Sequence, residues 1–229
     1  MTITTCIFDA YGTLFDVNAA ARAAAAEPGR AALAACWQAL AADWRTKQLQ
    51  YTWHRALVGE HRDFWQVTGD GLDWALERHG LAGDAALRAR LMQLYRELAA
   101  YPEVPPMLAA LKAAGFNTAI LSNGAPEMLA AAVDSAGIGA HLDDVLSVEQ
   151  VGIFKPAPAV YRLVTERFHC PARHVLFVSS NCWDALAAQA FGFQAVWVNR
   201  AGEPLDRLDH SPRATLSDLT PIPQLAREY

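Results

Sequence analysis

Cysteine is scarce. Only Cys6, Cys36, Cys170 and Cys182 occur in 229 residues, and none forms a C-x-x-C pair. Four reduced thiols in an intracellular protein are the expectation. Basic runs are missing as well, and the net charge is −5. A phosphate backbone attracts basic surfaces, so no nucleic-acid partner is expected. No uninterrupted apolar stretch approaches the length of a membrane span. The N-terminus lacks a basic region followed by an apolar one, so no signal peptide is read there. Together these point to a cytoplasmic protein with no membrane partner. Hydrophobic residues make up 53% and charged residues 19%, which is a globular composition with ample material for a core. The length allows one large domain or two modest ones.

Periodicity divides the chain. Residues 3–8 predict a short buried strand ending at Asp9, with a sharp turn at Gly12. From about 18 to 97 the pattern is helical: Leu33, Trp37, Leu40 and Trp44 recur at spacings of four and three, as do Leu87, Leu91, Leu94, Tyr95 and Leu98. Beyond residue 100, helices at 104–114, 126–136 and 157–168 alternate with strands at 117–121, 143–148, 174–178 and 194–198. Gly115, Gly137 and Gly192 serve as helix stops. That rhythm implies a parallel sheet covered by helices. The first strand is too short to stand alone and should join the later sheet. The fold expected is α/β: a Rossmann-like parallel-sheet core from residues 1–17 and 98–229, with an all-helical cap inserted at 18–97.

Ligands of open parallel sheets sit beyond the carboxyl ends of the strands. Three such ends are chemically loaded: Asp9; Ser122 and Asn123; and Ser179 to Asn181, with Asp184 close behind. A carboxylate at Asp9 is partly desolvated and needs a cation to stay ionised. Lys155, in Phe-Lys-Pro (154–156), is the candidate. Each feature has a bland alternative: a turn-capping Asp, a solvated Lys, a Ser-Asn-Gly turn, or helix capping by Ser180 or Asn181. Their shared place at strand ends, in this order, is the informative part.

That order resembles the haloacid dehalogenase superfamily over essentially the whole chain. Asp9, Ser122, Lys155 and Asp184 match its four motifs in turn. Most members are phosphatases with Asp-x-Asp at the first motif, the second Asp serving as general acid and its backbone carbonyl binding Mg²⁺. Here Tyr11 takes that place, so the metal and the leaving-group acid both lose support. Five segments are similar to the type II L-2-haloacid dehalogenases: Phe-Asp-Ala-Tyr-Gly-Thr-Leu-Phe-Asp-Val (8–17), Trp-Arg-Thr-Lys-Gln-Leu-Gln-Tyr-Thr-Trp (44–53), Ile-Leu-Ser-Asn-Gly (120–124), Phe-Lys-Pro (154–156) and Phe-Val-Ser-Ser-Asn-Cys-Trp-Asp (177–184).

The resemblance implies hydrolytic dehalogenation of small L-2-haloacids through an ester on Asp9, with no metal or other cofactor. It implies that Thr13 orients Asp9, Lys155 neutralises it, and Arg45 meets a carboxylate or departing halide. Asn123 and Trp183 match the halide pocket. Ser122, with backbone N–H groups near Ala10 and Tyr11, matches the substrate carboxylate. Ser179, Asn181 and Asp184 match the orientation of the hydrolytic water and of Lys155, with the base left open. Tyr161 matches a polar supporting position. Tyr11, Leu49, Phe64, Trp65 and Trp183 are candidates for the apolar wall. Ala10 and Thr46 are smaller than the side chains often seen there, which could enlarge the pocket. Asp16 is read as structural. The expected partners are the haloacid and its halide, and a homodimer is a further expectation from the family. Three alternatives stay open: a Mg²⁺-dependent phosphatase, a hydrolase of another activated C–X bond, and a non-enzymatic binding module.

Overall fold

The computed structural model describes residues 2–229. Strands β1 (Thr5–Phe8), β2 (Asn117–Ser122), β3 (Asp144–Ser147), β4 (Val175–Ser179), β5 (Gln194–Val198) and β6 (Ala214–Leu216) form one parallel sheet in the order β3-β2-β1-β4-β5-β6. The two neighbours of β1, β2 and β4, both come more than 100 residues later in the chain, beyond the helical segment. Burial on both faces explains the near-continuous apolar runs: every residue of β1, β4 and β5 is buried. Edge strand β6 is only half-buried, and its three residues show no apolar run. It was missed in the sequence for that reason, as was the C-terminal helix.

Between β1 and β2 the chain is helical: α1 (Ala19–Ala25), α2 (Ala31–Ala34), α3 (Trp37–Val58), α4 (Phe64–Arg78) and α5 (Ala85–Arg96). Leu33 and Trp37 do not share one helix as their spacing suggested. The chain breaks at Ala35 and Cys36, and no Gly or Pro announces the break. Asp63 and Asp84 cap α4 and α5, each accepting a backbone N–H with its side chain. The core helices are α6 (Val104–Ala113), α7 (Pro126–Ala136), α8 (Pro158–Phe168), α9 (Cys182–Phe191) and α10 (Ile222–Glu228). α7 and α9 end at Gly137 and Gly192, both in the left-handed region.

The chain enters and leaves the helical cap side by side. Asp16 N donates to Ala99 O at 3.1 Å and Tyr101 N to Leu14 O at 2.9 Å. The cap then lies over the carboxyl ends of the central strands: Phe64 packs on Tyr11 and Trp53 on Trp183, at ring separations of 5.8 and 5.5 Å. Among the described residues, no helix is long and apolar enough to cross a membrane.

Candidate active site

Phe8 pairs with Ile120 on one side and Val178 on the other. Asp9 therefore leaves the sheet at its centre, between the ends of β2 and β4. The strand order also changes direction there, which is where open α/β sheets place their ligands. The chain then doubles back, with Ala10 O accepting from the N–H groups of Thr13, Leu14 and Phe15. Gly12 makes the turn possible. Its φ is +88°, and a Cβ would come within 2.9 Å of Ser180 Oγ.

Asp9 is 6% exposed, and both its oxygens are engaged. Lys155 Nζ donates to Oδ1 at 3.1 Å. Asn181 Nδ2 donates to Oδ2 at 3.0 Å, and Thr13 Oγ1 lies 3.1 Å from the same oxygen. Thr13 Oγ1 also accepts from Ser180 N at 2.8 Å, which locks the β1 loop to the β4 loop. Lys155 bridges to Asp184 Oδ2 at 2.8 Å, and Tyr161 OH donates to Asp184 Oδ1 at 2.7 Å. Burial pulls the Lys155 ammonium toward deprotonation, but Asp184 and Asp9 outweigh it and leave its pKa raised. Burial pushes the Asp184 carboxyl up, against the pull of Lys155. Burial, then Asp184, hold the Tyr161 phenol well above its usual range. The Lys155 main chain is fixed too: its N–H donates to Asn123 Oδ1 at 2.9 Å.

Arg45 reaches down from α3. Its guanidinium donates to Asn181 Oδ1 at 3.2 Å and approaches Tyr11 O at 3.5 Å. Gln48, one turn along, accepts from Arg45 at 2.8 Å and is itself held by Thr68 at 2.7 Å and Tyr95 at 3.2 Å. Sequence reasoning passed over Gln48. The signal was a buried polar side chain at i+3 from Arg45 on a helix face otherwise lined by Leu40, Ala41 and Trp44. Ser180, weighed only as a helix cap, was also undervalued.

One small cavity is lined by Asp9, Tyr11, Arg45, Leu49, Phe64, Ser122, Asn123, Lys155, Asn181 and Trp183. It leaves about 10 Å³ for the centre of a water molecule, room for roughly one water. Burial, then the neighbouring Tyr95 phenol, hold the Tyr11 hydroxyl pKa well above its usual range, and this hydroxyl finds no partner among the described residues. The amide N–H groups of Ala10 and Tyr11 also donate to no acceptor among the described residues.

Other residues named from the sequence lie elsewhere. Tyr161 stands behind Asp184, away from the cavity, because its hydroxyl is spent on that carboxylate. Ser179 Oγ accepts from Asn181 N at 3.1 Å, and Ser179 is not among the residues that line the cavity. The Ala10 side chain is buried off the cavity wall. Thr46 is exposed, its hydroxyl bonded back to Ala42 O at 2.8 Å, so its small size enlarges nothing. Trp65 lies under the Arg96 guanidinium at 4.1 Å, outside the cavity. Asp16 accepts from Asn18 N and Arg22, a structural role. Asn181 sits at the N-cap position of α9 but makes no capping bond. Its side chain joins Asp9 to Arg45 instead.

The surroundings do not fit a divalent cation beside Asp9. The carboxylate already takes N–H and O–H donors on both oxygens. The backbone carbonyl of Tyr11, which would have to supply a further ligand, faces a guanidinium. Hard cations want oxygen lone pairs there.

A family model for haloacid dehalogenase-like hydrolases matches residues 3–192. The chain is 45% identical over 223 residues to (S)-2-haloacid dehalogenase 1 of Pseudomonas sp. (strain CBS-3), covering 97% of this chain and 96% of that one. It is 42% identical to (S)-2-haloacid dehalogenase 4A of Burkholderia cepacia, covering 95% and 93%. Among solved structures, the L-2-haloacid dehalogenase of Xanthobacter autotrophicus with chloropropionic acid covalently bound superposes with a TM-score of 0.89 at 36% identity, covering 99% of both chains. With its cap, its parallel sheet and a buried Asp–Lys pair at the centre, the chain belongs to the haloacid dehalogenase-like hydrolases.

Proposed function

We propose that this protein hydrolyses small L-2-haloacids to D-2-hydroxy acids through an aspartyl ester on Asp9. The observation that carries this is the buried Asp9 carboxylate, charge-balanced by Lys155 and lying beneath a helical cap, with a phenol at Tyr11 where the phosphatase pattern has its second carboxylate. Residues 18–97 act as the cap and 1–17 with 98–229 as the core.

An Asp9 oxygen attacks the halogen-bearing carbon in line and displaces halide. A C–O bond forms, the C–X bond breaks with its electron pair, and the carbon inverts. Halide is a stable anion and needs no proton, so no acid is required where the phosphatase pattern has one. Arg45 and Asn123 face the leaving anion with N–H donors, with the Trp183 ring beside them. The free N–H groups of Ala10 and Tyr11, with Ser122, receive the substrate carboxylate. Thr13, Asn181 and Lys155 hold the nucleophile in its attack orientation, and positioning of this kind is worth roughly 7–11 kcal/mol. Water then adds to Cγ of Asp9. The acyl–oxygen bond breaks, the hydroxy acid departs with the original Asp9 oxygen, and one proton is released overall. With so little room left in the cavity, the cap has to move for substrate to enter.

The test is halide release from both enantiomers of 2-chloropropionate, with and without EDTA. Release from the S enantiomer that survives chelation is expected. Hydrolysis of phosphate esters lost on chelation would overturn the reading. In a single turnover in ¹⁸O-water with enzyme in excess, the label should enter the Asp9 peptide and not the product. Asp9→Asn should abolish turnover, with mass spectrometry showing that the Asn persists.

A further inference from the structure

A second recess adjoins the catalytic cavity. Trp53, Ala56 and Leu57 at the end of α3 form its cap side. Phe154 and Pro156, the chain neighbours of Lys155, form its core side, and Trp183 completes it. Its volume of about 480 Å³ falls within the ~300–1,000 Å³ of small-molecule sites. All the side chains just named are apolar or aromatic. Leu57 is 87% exposed, and it extends the apolar surface outward from the cap–core seam.

Trp183 lines both this recess and the cavity around Asp9. Trp53 from the cap meets Trp183 from the core edge-on at that shared wall, at 5.5 Å and 90°. Among the described residues the buried Trp53 indole N–H has no acceptor, so turning that ring breaks no hydrogen bond to them. The groove thus shares the Trp183 wall with the reaction site, and none of its lining residues is charged.

We infer that this groove is a tail site for 2-haloalkanoic acids with longer unbranched alkyl chains. The tail passes between Trp53 and Trp183 while the carboxylate and the halogen-bearing carbon stay at Asp9. The inference rests on the dehalogenase reading above and adds a substrate class to it. The bond changes are those already given: Asp9 oxygen to carbon formed, carbon to halogen broken, ester then hydrolysed.

The test compares halide release from (S)-2-bromopropionate and (S)-2-bromohexanoate. The wild-type enzyme should turn over both. Each buried methylene is worth about fourfold in affinity, so loss of the groove should be read on the longer acid alone. Ala56→Trp fills the groove, and Leu57→Asp places a charge in it at an exposed position that folding does not need. Both variants should lower kcat/KM for bromohexanoate by about tenfold and leave bromopropionate within about twofold. Wild-type turnover of bromopropionate without bromohexanoate would overturn the inference and leave the dehalogenase reading standing. So would equal effects of both variants on the two acids, or no effect on either. Failure of the wild type on both acids would remove the dehalogenase reading and this inference together.

Discussion

Lys155 is 1% exposed and touches two carboxylates. Its pKa lies above the ordinary lysine value of about 10.4. A cation favoured in this way stabilises the fold fully below its unfolded pKa, and the contribution is lost as pH rises through the folded one. The alkaline limit of both activity and stability should therefore lie above the usual lysine range. Asp184 is the larger of the two supports. Asp184→Asn removes it while burial still works against the charge, so the alkaline limb of the kcat profile should move to lower pH. An unmoved limb would detach Lys155 from that limb. At this scale much of the site could be read from the sequence, because Asp9 follows β1, Ser122 ends β2, Lys155 shortly precedes α8 and Asp184 lies in the first turn of α9. The hydrogen bonds that hold them could not. Whether Asn181 caps its own helix or turns to Asp9 depends on Arg45, 136 residues away.

At the scale of elements, α3 and α4 cross closely. A Cβ on Gly71 would meet Gln48 N at 3.2 Å and Trp44 O at 3.4 Å, both of them backbone. A Cβ on Gly69, half a turn earlier, meets Arg88 Nη2 at 3.2 Å and Met92 Cε at 3.7 Å, the far ends of flexible side chains. Alanine is favoured over glycine in a helix by about 1 kcal/mol, while overpacking costs typically 1–3 kcal/mol. Gly69→Ala should thus be neutral or slightly stabilising. Gly71→Ala should lower Tm, and it should raise KM as well, because the turn of α3 that it displaces carries Arg45. Thermal melts and steady-state kinetics on the pair decide this. Strand and helix positions in the core were readable from period and punctuation, since buried parallel strands and Gly-stopped helices leave clear marks. This crossing was not. Close approach of two backbones leaves only a glycine, and the sequence contains fourteen.

At the scale of the molecule, cap and core are joined by two adjacent strands of chain, and Arg200 staples both. It follows β5, donates to Thr13 O at 3.1 Å on the outgoing chain, and pairs with Glu103 at 2.7 Å on the returning one. Its guanidinium also stacks on Tyr101 at 3.7 Å. No periodicity could have exposed this contact, because it joins three segments remote in sequence. The pair is about four-fifths buried on each side, so breaking it from one end strands a charge. The cost of that should exceed the 0–1 kcal/mol of an exposed pair and approach the 3–5 kcal/mol of a buried one. Arg200→Met should lose roughly 2–4 kcal/mol, somewhat less than a fully buried pair would. Glu103→Gln in the same chain removes the stranded carboxylate. The double variant should then cost less than the sum of the singles, with a coupling of about 0.5–3 kcal/mol. Denaturant titration of the four proteins measures that coupling. Additive losses would mean that Arg200 acts through Tyr101 and Thr13 alone, and that the returning chain is held by packing.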